Sequence, residues 1–220
     1  MAGVSVVGAE SVDVVTTAQI KSNLRIASND STHDTQIEIC RDASISVAKE
    51  YLQKSLMNRT LKLSLDNIPF SDSILPNQEG ITTGPFLEYR QRSVNLPFSP
   101  LVSVSSVKTF DDSDNETTMA SSRYYVDTAS NYGRVVLRTG ETWDDMLRVA
   151  NAIEITYVAG YGSIATSVPA GIRQGIIVLA SHYFENADMV IKGEGNSVIP
   201  TLVNSLWKPF RNTRFGIGLG

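Results

Sequence analysis

Apolar and polar positions along this chain change period twice, and the changes divide it into helical, β and again helical stretches. Thr16 or Thr17 can cap a short helix running through Ile20 and Leu24. The polar turn at 29–34 follows, and Thr35 with Glu38 has the spacing of a capping box, which predicts that a longer helix opens there. Along that helix Glu38, Asp42, Ser46, Lys49 and Gln53 form a polar stripe. Ile37, Cys40, Val47 and Tyr51 lie to one side of it and Ile45, Ala48, Leu52 and Leu56 to the other, so the helix expects cover on two sides.

At Thr60 the period drops to two. Leu61, Leu63 and Leu65 alternate with Lys62, Ser64 and Asp66, and strands are expected at 61–66, 86–96, 102–110, 124–127, 134–138 and 152–158. Turn chemistry separates them, most plainly at 111–116 and 130–133, while 71–85, with Pro76, Gly80, Gly84 and Pro85, reads as a long exposed loop. The last strand stops at Ala159-Gly160-Tyr161-Gly162, where glycine supplies the dihedral angles of a sharp exit. Pro169 suits the first turn of the helix that follows. From Ile172 to Glu185 only Gln174, Ser181 and Glu185 make a polar stripe, so this helix expects company on most sides. Gly193-Glu194-Gly195 reads as a flexible connection, and Pro200 starts a short helix carrying Leu202, Val203, Leu206 and Trp207.

The fold class is therefore α+β: a small helical bundle, built from the N-terminal helices and the central C-terminal helix, with an inserted antiparallel β region. The expected boundaries are an extended N-terminal arm at 1–15, a first helical segment at 16–60, the β region at 61–160, a second helical segment at 161–208 packing on the first, and a flexible tail at 209–220.

Composition narrows the function classes. With 220 residues, 42% hydrophobic and 19% charged, the chain can bury a proper core. Its net charge of −4 argues against general affinity for nucleic-acid phosphates. One cysteine, Cys40, cannot pair internally, which favours a reducing compartment. The first residues are apolar without a basic segment before them, unlike a signal peptide, and no apolar run approaches the roughly 20 residues of a membrane span. A soluble protein made in a cytoplasm is expected, with no membrane contact.

Candidate chemistry is sparse. His33 lies in a polar turn and His182 within the central helix, and neither accompanies a nucleophile elbow, so hydrolysis is disfavoured. Cys40 shares a helical stripe with Ile37, Ser44 and Val47, the setting of a buried structural thiol. The oxygen-rich run 112–116 lacks the glycine and distal glutamate of a calcium loop and reads as a solvated hairpin turn. The paired glycines at 193–195 and 216–220 do not follow a strand and open a helix, so they are no phosphate cradle. No enzyme activity, cofactor or metal is expected. Two stretches suggest contact surfaces instead. Val178, flanked by Gln174 and Ser181, is either a scattered surface residue or a seam with another subunit. Trp207, Phe210 and Phe215, interleaved with Lys208, Arg211 and Arg214, have the composition of an interface hot spot, or of a tail folding back on its own core.

The order of these motifs resembles the head-tail connector (adaptor, or head-completion) proteins of long-tailed double-stranded DNA phages and related prophages and gene-transfer particles. The matching pieces are Val15-Thr16-Thr17-Ala18-Gln19-Ile20-Lys21-Ser22-Asn23-Leu24-Arg25-Ile26, the helix from Asp34 to Tyr51 with Arg59, Asn95-Leu96-Pro97-Phe98-Ser99-Pro100-Leu101-Val102-Ser103-Val104 and Tyr125-Val126-Asp127. Ile155-Thr156-Tyr157-Val158-Ala159-Gly160-Tyr161-Gly162, Val168-Pro169-Ala170-Gly171-Ile172-Arg173-Gln174-Gly175-Ile176 and His182-Tyr183-Phe184-Glu185-Asn186 complete the series. The likeness runs from Val15 to Phe210 and rests on order and spacing. Gly175 stands where the family more often has alanine, and Ala187 where it often has arginine.

What the resemblance implies is a structural virion protein at the head-tail junction, assembled in the host cytoplasm. Its copies would form a dodecameric ring under the portal protein that hands the DNA channel on to a stopper or tail-completion protein. Helices apolar on more than one side suit the head-to-tail contacts of a ring, and an acidic balance suits a conduit through which DNA slides without sequence-specific binding. Trp207, Phe210, Arg211, Arg214 and Phe215 would meet the portal, and Gln174, Val178 and Ser181 the neighbouring subunit. The alternatives are a tail-completion protein, or a metal- or glycan-binding β module on a helical stand.

Overall fold

The computed structural model describes residues 2–8, 10, 12–66, 92–143, 147–186 and 200–212. The fold is α+β, and the chain divides into two compact units, Met1–Ala9 with Asn58–Gly160 and Glu10–Met57 with Tyr161–Gly220.

The second unit is helical. Helix α1 (Thr17–Leu24) opens on a complete capping box. The Thr16 hydroxyl accepts from the Gln19 N–H at 3.3 Å, and Gln19 Oε1 accepts from the Thr16 N–H at 2.9 Å. It closes on Arg25 in the left-handed conformation, φ 59°. Helix α2 (Asp34–Leu52) starts differently from the sequence expectation: His33 is the N-cap without a side-chain cap, and Thr35 already lies inside the first turn. Asp34 takes over that end, its carboxylate favoured by the N-terminal dipole and paired with Lys21. Lys21 is itself buried, and its ammonium also donates to the Asp30 carbonyl at 2.7 Å.

Ile37, Cys40, Ser44, Ile45, Ala48 and Leu52 form the buried face of α2, and the Ser44 hydroxyl is satisfied by the Cys40 carbonyl at 2.7 Å. Helix α3 (Ala170–Glu185) follows Pro169 and packs against α1, α2 and the short α4 (Thr201–Trp207), which runs into a 3₁₀ turn at Lys208–Phe210. Val14, Val15, Leu56, Met57, Val168 and Val203 complete this core.

The first unit holds two antiparallel sheets. Strands β1 (Ala2–Val6), β2 (Arg59–Leu65), β8 (Ile153–Ala159), β4 (Leu101–Phe110) and β5 (Glu116–Thr118) lie side by side in that order. Strands β3 (Ser93–Asn95), β7 (Arg134–Leu137) and β6 (Tyr124–Asp127) make the second sheet. Alternation sets the register: Leu61, Leu63 and Leu65 stand opposite Tyr157, Ile155 and Ile153, all buried, while Lys62 opposes Thr156 and Ser64 opposes Glu154 on the wetter face.

The backbone of the N-terminal residues is spoken for. β1 pairs with β2, and Val14 and Val15 lie in the helical core. No sequence pattern predicts β5. The loop 71–85, the opening residues of the strand expected at 86–96, and the glycines at 193–195 and 216–220 fall outside the described residues.

Candidate functional site

The C-terminal segment is the strongest sequence candidate for a contact surface, and the fold divides it. Trp207 has no exposed surface, and its indole N–H donates to the Ile172 carbonyl at 3.2 Å. The indole fits because α3 carries Gly175 beneath it, and Gly171 one turn earlier makes the same room for Phe210. A Cβ at Gly175 would lie 2.1 Å from Trp207 Nε1, and one at Gly171 would lie 3.0 Å from Phe210 Cε2. Tyr51 of α2 closes the other side: its hydroxyl donates to Asn204 Oδ1 and its ring stands 5.8 Å from the indole.

Asn212 then fastens the segment to the end of α2. Its backbone N–H donates to the Leu52 carbonyl at 3.2 Å and its side-chain amide to the Gln53 carbonyl at 3.3 Å, satisfying carbonyls that a helix end leaves open. Trp207 is thus a core residue, the fold-back alternative. Phe210 is half-buried against the same core, and Arg211 is exposed with its guanidinium 5.0 Å from the Tyr51 ring centre. Arg214 and Phe215 lie outside the described residues. The signal that places Trp207 is present in the sequence, as Gly175 in the middle of a largely apolar helix.

The three seam candidates on α3 separate as well. Gln174 is exposed, Val178 is half-buried against the helical core, and Ser181 is buried with its hydroxyl accepting from the Asn23 amide at 2.8 Å. Of the three, only Gln174 is exposed.

The residues weighed for chemistry have structural partners. The His33 ring meets Phe184 edge-on at 5.6 Å, and His182 Nδ1 lies 3.2 Å from the Asn186 amide. Cys40 is buried, which pushes its thiol up. In the β4–β5 turn Asp111 accepts from the Asn115 side-chain amide and from the backbone N–H groups of Ser113 and Asn115, each at 2.9 Å. Those bonds, the Asn115 side chain first, hold its carboxyl below the usual range. Asp114 pairs with Arg148 at 3.0 Å. Among the described residues no group of three or more His, Cys, Asp or Glu is placed to hold a metal ion, and no helix is long and apolar enough to cross a membrane.

One surface has no counterpart among the expected sites. Val4 and Val6 are 39% and 57% exposed, although they stand opposite Leu63 and Leu61, which are 3% and 0% exposed. The apolar face of the five-stranded sheet therefore runs outward onto its edge strand. The alternation Gly3-Val4-Ser5-Val6 is its sequence signal.

No family model matches the sequence, and no curated protein resembles it significantly. Solved structures do resemble the fold. A chain from the neck of an empty gene transfer agent (GTA) particle, computed with C6 symmetry, has a TM-score of 0.73 at 18% identity over 98% of both chains. A chain of the native GTA virion gives a TM-score of 0.69 at 19% identity over 98% of both chains. A third, from the neck of the native particle computed with C12 symmetry, gives 0.62 at 19% identity, covering 96% of this chain and 98% of that one. At these identities the likeness is one of fold, and it spans nearly the whole of each chain and not a shared subdomain.

Proposed function

We propose that this chain is a structural virion protein of the head-tail neck, an adaptor whose copies form a ring under the portal and carry the DNA channel on to the tail. The observation that carries the reading is the end-to-end match of fold to chains of GTA necks, two of them computed with C6 or C12 symmetry. The order of sequence motifs from Val15 to Phe210 supports the same assignment independently of the fold. A ring of identical copies requires head-to-tail contacts between two different patches of each subunit. Its partners are the portal protein on one side and a stopper or tail-completion protein on the other, with DNA passing through unread.

The portal-facing segment is the chain around and beyond Asn212: Phe210 and Arg211, together with Arg214 and Phe215. Trp207 acts behind them, as the core anchor that fixes where this segment leaves the helical unit. The test uses the full chain and a version ending at Asn212. Light scattering of the full chain with portal-bearing heads should show portal-dependent multimers, and the shortened chain should stay folded but fail to join heads. A full chain that remains monomeric and ignores the heads would end the proposal.

A further inference from the structure

Each subunit's five-stranded sheet has two outer edges, β1 and β5, and among the described residues neither is paired on its outer side. The two are unlike. β5 is three residues long, and its one charge, Glu116, is already paired with Lys108 at 2.7 Å. β1 is longer, uncharged, and free of proline and of the register shifts that β4 carries. Edge strands are commonly blunted by charges, proline or bulges, because an open row of N–H and C=O groups invites another strand. β1 has none of these protections. It also exposes Val4 and Val6 on the same face as the buried Leu61 and Leu63, so an apolar row that begins at Val107 and Ile155 stops in solvent.

We infer that β1 of one copy pairs with β5 of the next, so that the sheets continue from subunit to subunit around the ring. The occupant is a second copy because a head-to-tail ring needs two different patches, and one sheet here supplies two different open edges. Both edges come without unpaired charge. Successive neighbours in the order β1-β2-β8-β4-β5 are antiparallel, so β1 and β5 run in the same direction. A sheet carried on without reversal therefore joins them in parallel, and the seam is the one parallel pairing in an otherwise antiparallel sheet. Thr117, exposed on the apolar side of β5, is the residue that Val4 or Val6 would meet.

This inference rests on the proposed ring, and its test separates the two. In full-length chain carrying Cys40→Ala, Ser5→Cys and Thr118→Cys place thiols on the opposite, polar face of the two edges. A short bismaleimide added to the assemblies should give a ladder of linked subunits from the double variant and none from either single one. Separately, Val6→Lys should weaken assembly by roughly tenfold or more without lowering the melting temperature of the subunit, because Val6 is already exposed. Linked dimers from Ser5→Cys alone would mean that two β1 edges meet about a two-fold axis, which overturns the seam. Rings of normal mass that neither cross-link nor respond to Val6→Lys overturn it while leaving the ring intact. Absence of any multimer, with or without portal-bearing heads, removes the ring and the seam together.

Discussion

Gly175 illustrates how much of this molecule turns on single missing atoms. Alanine is the better helix former by about 1 kcal/mol, so on propensity alone Gly175→Ala should stabilise α3. Against that stands a Cβ 2.1 Å from the indole nitrogen of a side chain with no exposed surface. Overpacking of that kind costs about 1–3 kcal/mol and also threatens the Trp207 to Ile172 hydrogen bond, so the clash wins. Gly175→Ala is expected to lower stability in urea by about 1–3 kcal/mol and to shift Trp207 fluorescence to the red. Unchanged stability would show that the indole yields without loss. Asp127 makes the second residue-scale case. The Ser130 hydroxyl, the Arg134 guanidinium and the backbone N–H groups of Ser130 and Ala129 converge on its carboxylate and hold it from the ordinary 3.8 down to about 2. A carboxyl depressed on folding contributes stability above its unfolded value and loses it as pH falls through the folded one. Asp127→Asn should therefore melt below the wild type at neutral pH, with the gap closing between about pH 4 and pH 2. A gap constant over that window would sink the assignment.

At the scale of elements, α4 is short in sequence and large in consequence. Val203 and Trp207 are fully buried, Asn204 receives the Tyr51 hydroxyl, and Asn212 caps the end of α2. A chain ending at Pro200 loses all of these, and removing a buried tryptophan alone costs about 3–5 kcal/mol. Circular dichroism and a thermal melt should find the chain ending at Pro200 without a cooperative helical unit and the chain ending at Asn212 close to the full chain. Two equally stable truncations would contradict the core role of Trp207.

Elements whose pattern comes from burial on one face are legible in the sequence. β2 and β8 alternate, α2 carries its stripe, and Thr16 with Gln19 caps as its spacing allows. Where pattern and fold part, the cause lies in contacts that no local stretch contains. Thr35 and Glu38 have the right spacing, but the pull of Lys21 on Asp34 favours a start two residues earlier, with His33 at the cap, and a local motif cannot hold that tertiary partner. All three residues of β5 are exposed, so no burial pattern marks it. Trp207 has the look of a surface residue beside its aromatic and basic neighbours, while the notch made for it on α3 lies more than thirty residues earlier.

For the molecule as a whole, the decisive fact is that the two units have separate cores. Buried residues of the helical unit and of the β unit fall into two distinct clusters. The chain leaves the helical unit at Met57 and returns at Tyr161, and the Tyr161 N–H donates to the Leu56 carbonyl at 3.3 Å, so exit and entry lie side by side. The β unit is closed in the same manner, since Arg59 pairs with Ala159 where β2 begins and β8 ends. Leu56 and Met57 belong to the helical core, so that core is complete at the point of exit. Residues 10–57 joined to 161–212 through about two to four glycines should thus close without strain, because a loop that short adds little closure entropy. At about 100 residues the product is large enough for one hydrophobic core to fold alone. It is expected to show helical circular dichroism and a single cooperative melt, with Trp207 fluorescence as shielded as in the full chain. A product that is helical but melts without cooperativity would show that the helical core depends on the β unit for its packing.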